Sequence, residues 1–247
     1  MYLLLEKAVS KRKLERTVPV ERGKNLFKEF GLLKILMKKL WILAVFTISI
    51  TLMDVLMWTV GVLYTEELSD RYSVGGWLMV VYGLPSLFVG FVTEKIKLDS
   101  GKKRMAFTTA AVSGLCLIFS GIQEHIYAIL AFVFLMSIFY GITVILIDAT
   151  FQDYVSRANI VGNDIVSLLQ FSHNVAYALG PIILGILAKY AGYGRTFQLV
   201  GAFVVIIAMF SFLVTPRKIR MPQKEIMAEV EESEITLADS GDGKLLE

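Results

Sequence analysis

Asp54 stands within TISITLMDVLMWTVGVLY, residues 47–64, a run with no other charge. An ionised side chain at the centre of a bilayer costs about 2.5–3.5 kcal/mol on insertion scales, so an acid there needs either a function or a partner. Thr47, Thr51, Trp58 and Gly61 fall on roughly the same helical face as Asp54. A carboxyl held away from water changes its proton affinity with its hydration, and that is what a proton-coupling group requires. The alternative is a carboxylate bonded to a neighbouring helix for packing.

A second group lies in DIVSLLQFSHNVAYALG, residues 164–180. Gln170, His173, Asn174 and Tyr177 share one polar stripe at helical spacing, with Ser167 at its edge. Ser172, Ala176 and Gly180 form a small-residue stripe opposite. Small residues admit close helix packing, and polar ones line a wet space or bond across helices. With Asp54 and Trp58, the polar stripe is the expected substrate and proton pathway. His173 reads first as a polar cavity residue and second as a proton carrier. Asp148, Asp153 and Asp164 read as solvated acids or helix caps near the cytoplasmic side, or as partners for a basic loop.

These residues need spanning helices to position them. The chain has 247 residues, 55% of them hydrophobic, and a mean hydropathy of +0.63, which places it among polytopic membrane proteins. A span takes about 20 mostly apolar residues. Six segments qualify: 40–64, 74–92, 105–122, 126–147, 165–187 and 197–215. Around them lie a basic leader, 1–39, and an acidic tail, 216–247, whose composition is that of a disordered segment. Within the leader, Leu26, Phe30, Leu33 and Met37 oppose Lys24, Lys28, Lys34 and Lys38, which reads either as an amphipathic helix on the anionic inner leaflet or as a lysine-rich approach to the first span. The single Cys116 excludes an internal disulfide and a multi-cysteine metal site. No metal site, cofactor or nucleic-acid partner is expected; the bilayer and a small-molecule substrate are.

Cationic residues set the orientation. Eleven lie in residues 1–39, five between the second and third spans, and four from Arg217 to Lys224. The intervening loops on the other side are nearly bare, so both termini are expected in the cytoplasm of a multi-pass plasma-membrane protein.

GLPSLFVGFVTEK, residues 83–95, aligns loosely with LGPIILGILAKY, residues 179–190. Pro85 falls near Pro181 and Gly90 near Gly185. Repeats three spans apart must be inverted with respect to each other, which is the building unit of many secondary transporters. The fold class expected is an all-α membrane protein of six spans in two inverted three-helix repeats.

In these motifs the chain resembles the carboxy-terminal half, spans seven to twelve, of a major facilitator superfamily transporter. The family carries a glycine, an acid–base pair, and then glycine and basic residues in the loop between the second and third spans of each half. Here Gly90, Glu94, Lys95, Gly101, Lys102 and Lys103 occupy that loop, with IKLDS inserted before the second glycine. The resemblance implies a gating role for them. GPIILG is similar to the family's glycine-proline element and implies helix-packing roles for Gly180, Pro181 and Gly185. The leader resembles the linker between two halves.

The resemblance implies secondary transport, with drug or metabolite efflux favoured and proton coupling through Asp54. It implies a half-transporter that works with an amino-terminal half or a second copy of itself. The alternative is a non-transporting scaffold or a fragment of a larger transporter. Enzymatic function is not expected: HExxH, GxSxG and a partner acid for Asp54 are all missing from the sequence. In a Cys116→Ala background, cysteines at Ser69 and Gln123 should react with an impermeant maleimide from outside and one at Ser100 should not. The reverse pattern would invert this topology.

Overall fold

The structure is a computed structural model that describes residues 26–95, 101–158 and 162–215. Every regular element among them is helical. Helix α1, Leu26–Leu56, passes through a π-helical turn at Met57–Gly61 into α2, Val62–Arg71. A 3-10 turn, Gly75–Trp77, leads to α3, Leu78–Gly83, and α4, Ser86–Lys95. Then come α5, Lys102–Ile122; α6, Ile126–Ala158; α7, Gly162–Ala191; and α8, Tyr193–Val214. The amphipathic faces expected in the leader lie outside the described side chains.

Five of these helical stretches are long and apolar enough to cross a membrane, where six were expected. The second segment is the exception. The run 74–92 is two short helices interrupted at Leu84–Pro85, and its apolar part, Gly75–Gly90, is shorter than a full span. Proline offers no N–H, and its ring crowds the carbonyl four residues back, so Pro85 ends one helix and starts another. The backbone is re-satisfied locally: Leu84 N–H donates to the Val80 carbonyl at 2.9 Å and Val89 N–H to that of Pro85 at 3.0 Å. Pro181 behaves differently, because α7 runs through it unbroken. The first span also extends further than expected, reaching Arg71.

Short connections make consecutive long helices antiparallel neighbours. Helix α5 packs on α6 and α8, α1 on α7 and α8, α7 on α6, and both α3 and α4 on α6. Phe46 meets Phe107 edge-on, with ring centroids 4.7 Å apart, and both are buried. Lipid tails are as apolar as leucine, so close backbone approach and interhelical hydrogen bonds must hold the bundle. Ser113 Oγ donates to the Met136 carbonyl at 2.9 Å, and Thr109 and Thr143 share a hydrogen bond of 2.8 Å.

The α5–α8 contact is the closest approach. A Cβ on Gly201 would lie 2.6 Å from the Gly114 carbonyl oxygen, and one on Gly121 would lie 2.3 Å from that of Gly194. These two glycine pairs press backbone against backbone in antiparallel register. Gln198 Nε2 donates to the Gly121 carbonyl at 2.8 Å within the same seam. By contrast, Gly185 has nothing within 4 Å of its Cβ position, and both it and Pro181 are exposed. Neither packs a helix in this chain, contrary to the sequence expectation; the spacing of GPIILG does not reveal which face meets a neighbour. Gly180 does pack, its Cβ position being 2.8 Å from Val55 Cγ1.

Gly201→Ala should therefore destabilise the protein by about 1–3 kcal/mol, because a carbonyl cannot yield as a side chain can. Gly185→Ala should hold or gain up to about 1 kcal/mol from helix propensity. Melting temperatures of the purified variants check both, and equal values would remove the glycine seam as a stabilising contact.

Candidate functional site

The side chain of Asp54 is shared by two phenols. Tyr82 Oη donates to Oδ1 at 2.5 Å and Tyr177 Oη to Oδ2 at 2.6 Å. One carboxylate thus joins α1, α3 and α7, three segments distant in sequence. Tyr82 is buried, Tyr177 is half exposed and Asp54 lies between the two in accessibility. The main chain at Tyr82 is also held, since Ser137 Oγ donates to its carbonyl at 2.5 Å.

One turn earlier on α1, Thr51 Oγ1 lies 2.8 Å from His173 Nδ1 and also donates to the Thr47 carbonyl at 2.9 Å. A hydroxyl has one proton to give. With that proton on the carbonyl, the imidazole carries its hydrogen on Nδ1 and leaves Nε2 as the proton-accepting nitrogen. Asp148 on α6 interacts electrostatically with His173, and its Oδ1 is buried without a hydrogen-bond partner. The Tyr140 ring centroid lies 6.4 Å from that of Tyr82. The hydrogen bonds thus form two groupings along α1, Tyr82–Asp54–Tyr177 and Thr51–His173.

The stripe expected on α7 is present. Gln170, Asn174 and Tyr177 are exposed and His173 is partly so, while Ser172, Ala176 and Gly180 are buried on the other side. Trp58 is exposed, whereas Thr47, Thr51 and Gly61 are buried. Asp54 takes its hydrogen bonds from the tyrosines, and a π-helical turn begins at Met57, three residues on. Tyr82 was missed. Its signal was a lone hydroxyl in an apolar run, directly before the Gly-Leu-Pro sequence that breaks the second segment.

In the basic loop, Lys102 Nζ lies 3.0 and 2.9 Å from the two carboxylate oxygens of Asp153. This ties the start of α5 to the end of α6 with both side chains partly exposed, where an ion pair stabilises by about 0–1 kcal/mol. Gly101 precedes α5 in the left-handed region at φ 91°, which suits glycine. Lys103 is buried, and Gly90 has open space at its Cβ position. The backbone of α4 ends at Lys95, and the side chains of Glu94, Lys95 and Asp164 lie outside the described residues. Among the described residues no cluster of His, Cys, Asp or Glu has the makings of a metal site.

No curated protein matches the chain. A family model does: that of the Major Facilitator Superfamily matches residues 3–237. The chain belongs to this superfamily. Secondary transport of some small solute across a membrane, by a multi-pass helical protein, follows from that membership and from the five long apolar helices.

Removing one phenol oxygen tests how firmly the carboxylate is held. Tyr82→Phe should cost about 1.5–3 kcal/mol, the range for a hydrogen bond to a charged group, and Tyr177→Phe less because that phenol is half exposed. In an Asp54→Leu background both substitutions should be close to neutral. Additive losses in a double-mutant cycle would show that the phenols act elsewhere.

Proposed function

We propose that this superfamily member exports a drug or metabolite by proton-coupled alternating access, as a half-transporter equivalent to spans seven to twelve. The observation that carries the coupling is the carboxylate shared between Tyr82 and Tyr177. An ionised Asp54 accepts from both phenols. A protonated one donates from one oxygen, so one phenol must turn its hydrogen elsewhere. Loading a proton thereby changes the tie from α1 to α3 or α7, and a ligand shifts a two-state protein only through such a differential interaction.

Two observations support the half-transporter reading. The helix pairings exchange when the first three segments are swapped with the last three: α1 on α7 corresponds to α6 on α3 and α4, α1 on α8 corresponds to α6 on α5, and α5 on α8 maps onto itself. These correspondences are ones that an inverted three-plus-three repeat would produce, and they support that reading. The second is the exposure of Gln170, Asn174 and Tyr177 on a membrane-spanning helix. Polar side chains are costly against lipid, so this face suits a water-filled cavity closed by a second six-segment unit, either an amino-terminal half or another copy of the chain. The distribution of lysine and arginine favours cytoplasmic termini in the plasma membrane. With that orientation the Lys102–Asp153 pair would face the cytoplasm, which suits a gate there.

Asp54→Asn keeps size and hydrogen bonding but fixes the neutral state. In vesicles under a pH gradient it should reduce substrate accumulation to the level of leak while sparing substrate exchange. His173→Ala should weaken binding more than coupling. Accumulation by Asp54→Asn at the parental rate would reduce Asp54 to a packing residue and end the proton-coupled reading.

A further inference from the structure

Charge is unevenly distributed along the five long apolar helices. Their lysines and arginines (Arg71, Lys102, Lys103, Arg104, Lys189 and Arg195) all lie in a first or last turn. Asp54 and Asp148 lie more than two turns from either end of their helices, and no other charged residue in these helices does. The deep charge of the bundle is therefore of one sign. A cleft bounded by one sign of charge concentrates solutes of the other.

Asp148 is deeper than the cytoplasmic position expected from the sequence. Helices α6 and α7 are antiparallel, the first ending at Ala158 and the second starting at Gly162. At about 1.5 Å per residue, Asp148 stands about 15 Å along α6 from that connection and His173 about 16 Å along α7. The two are level, in agreement with their electrostatic interaction. Since His173 meets Thr51, Asp148 lies about one helical turn from the level of Asp54.

The two acids differ in what they hold. Both oxygens of Asp54 accept a phenol hydrogen. Asp148 Oδ1 has no hydrogen-bond partner among the described residues, while the residue itself is partly exposed and so open to approach. A buried acceptor left unpaired is costly, and a carboxylate cannot turn back on its own helix as a hydroxyl can. His173 does not relieve it, because its neutral form with hydrogen on Nδ1 offers no donor at Nε2. The carboxylate lacks a donor and a positive charge, and one kind of group brings both.

We propose that the solute carried by this chain is a lipophilic ammonium ion, and that Asp148 holds its charged nitrogen. An anion is repelled by both deep acids, and a neutral solute leaves Asp148 without a counter-charge. An ammonium group supplies N–H donors and charge together. The polar stripe of α7 continues from His173 through the exposed Asn174 to the half-exposed ring of Tyr177, whose face suits a cation and its apolar body. This inference names the substrate class for the transport reading above and rests on it, but its test needs no gradient.

The probe is dansylcadaverine, an apolar fluorophore on a primary amine, and its neutral control is the same molecule acetylated on that amine. Fluorescence is titrated against the purified full chain in detergent, with empty micelles as background. The amine should bind saturably and at least about tenfold more tightly than the acetylated form. Asp148→Asn should reduce that preference to less than about threefold, whereas Glu124→Gln, which removes an acid from the exposed loop between α5 and α6, should leave it unchanged. If Asp148→Asn does not fold, dicyclohexylcarbodiimide labelling of the parent decides. The amine should protect Asp148 from modification, as read by peptide mass spectrometry. The proposal is overturned if the amine does not saturate, if the acetylated form binds as well, if Asp148→Asn keeps the preference, or if Asp148 is not labelled or is labelled equally with the amine present. Failure of proton coupling in Asp54→Asn vesicles would leave a positive result here standing, and loss of the amine preference would leave the coupling standing.

Discussion

Hydrocarbon offers no hydrogen bonds, so a chain that crosses it must satisfy its own backbone. Unbroken helix is the cheapest solution, and irregular backbone persists at membrane depth only where protein or a wet cavity covers it. Two irregularities occur within the spanning region here. The π-helical turn at Met57–Gly61 follows directly on the turn that carries Asp54, and the Leu84–Pro85 break follows directly on Tyr82. Both flank the same hydrogen bond. The departures from regular helix thus fall beside the candidate site; in many secondary transporters discontinuous helices form the binding site.

Around this site the bundle is built in two ways. On one side, α5 and α8 approach backbone to backbone through facing glycines, which makes a rigid pair. On the other, α1 and α7 meet through Gly180 against Val55 and Leu52, and through side chains that carry exchangeable protons: Thr51 with His173 and Asp54 with Tyr177. A backbone seam has no alternative partners. Hydrogen bonds to a titratable acid do, because protonation reverses who donates. The structure therefore sets a pair of helices in backbone contact beside a pair joined through polar side chains.

The same contrast separates what belongs to the superfamily from what belongs to this chain. Membership is carried by the family match over residues 3–237. The Tyr82–Asp54–Tyr177 arrangement and the donor-free oxygen of Asp148 are read from this molecule's own side chains.

The sequence alone determined that the chain is helical and membrane-embedded, because runs of about 20 apolar residues leave few other ways to satisfy the backbone. It also singled out Asp54 and the α7 stripe as candidates, because polar groups in such runs are costly and their spacing shows in the sequence. Pro85 was visible, but its effect was not. Proline breaks a helix or is carried within one according to what neighbouring helices allow, and Pro181 went the other way from Pro85. Only the tertiary structure decided the partners. Tyr82 reaches Asp54 across 28 residues and Tyr177 across 123, distances at which periodicity carries no information. Which glycines pack was likewise a tertiary matter: Gly114, Gly121, Gly194 and Gly201 form the seam and Gly185 faces open space, because a glycine's role is set by what approaches it and not by the residues beside it.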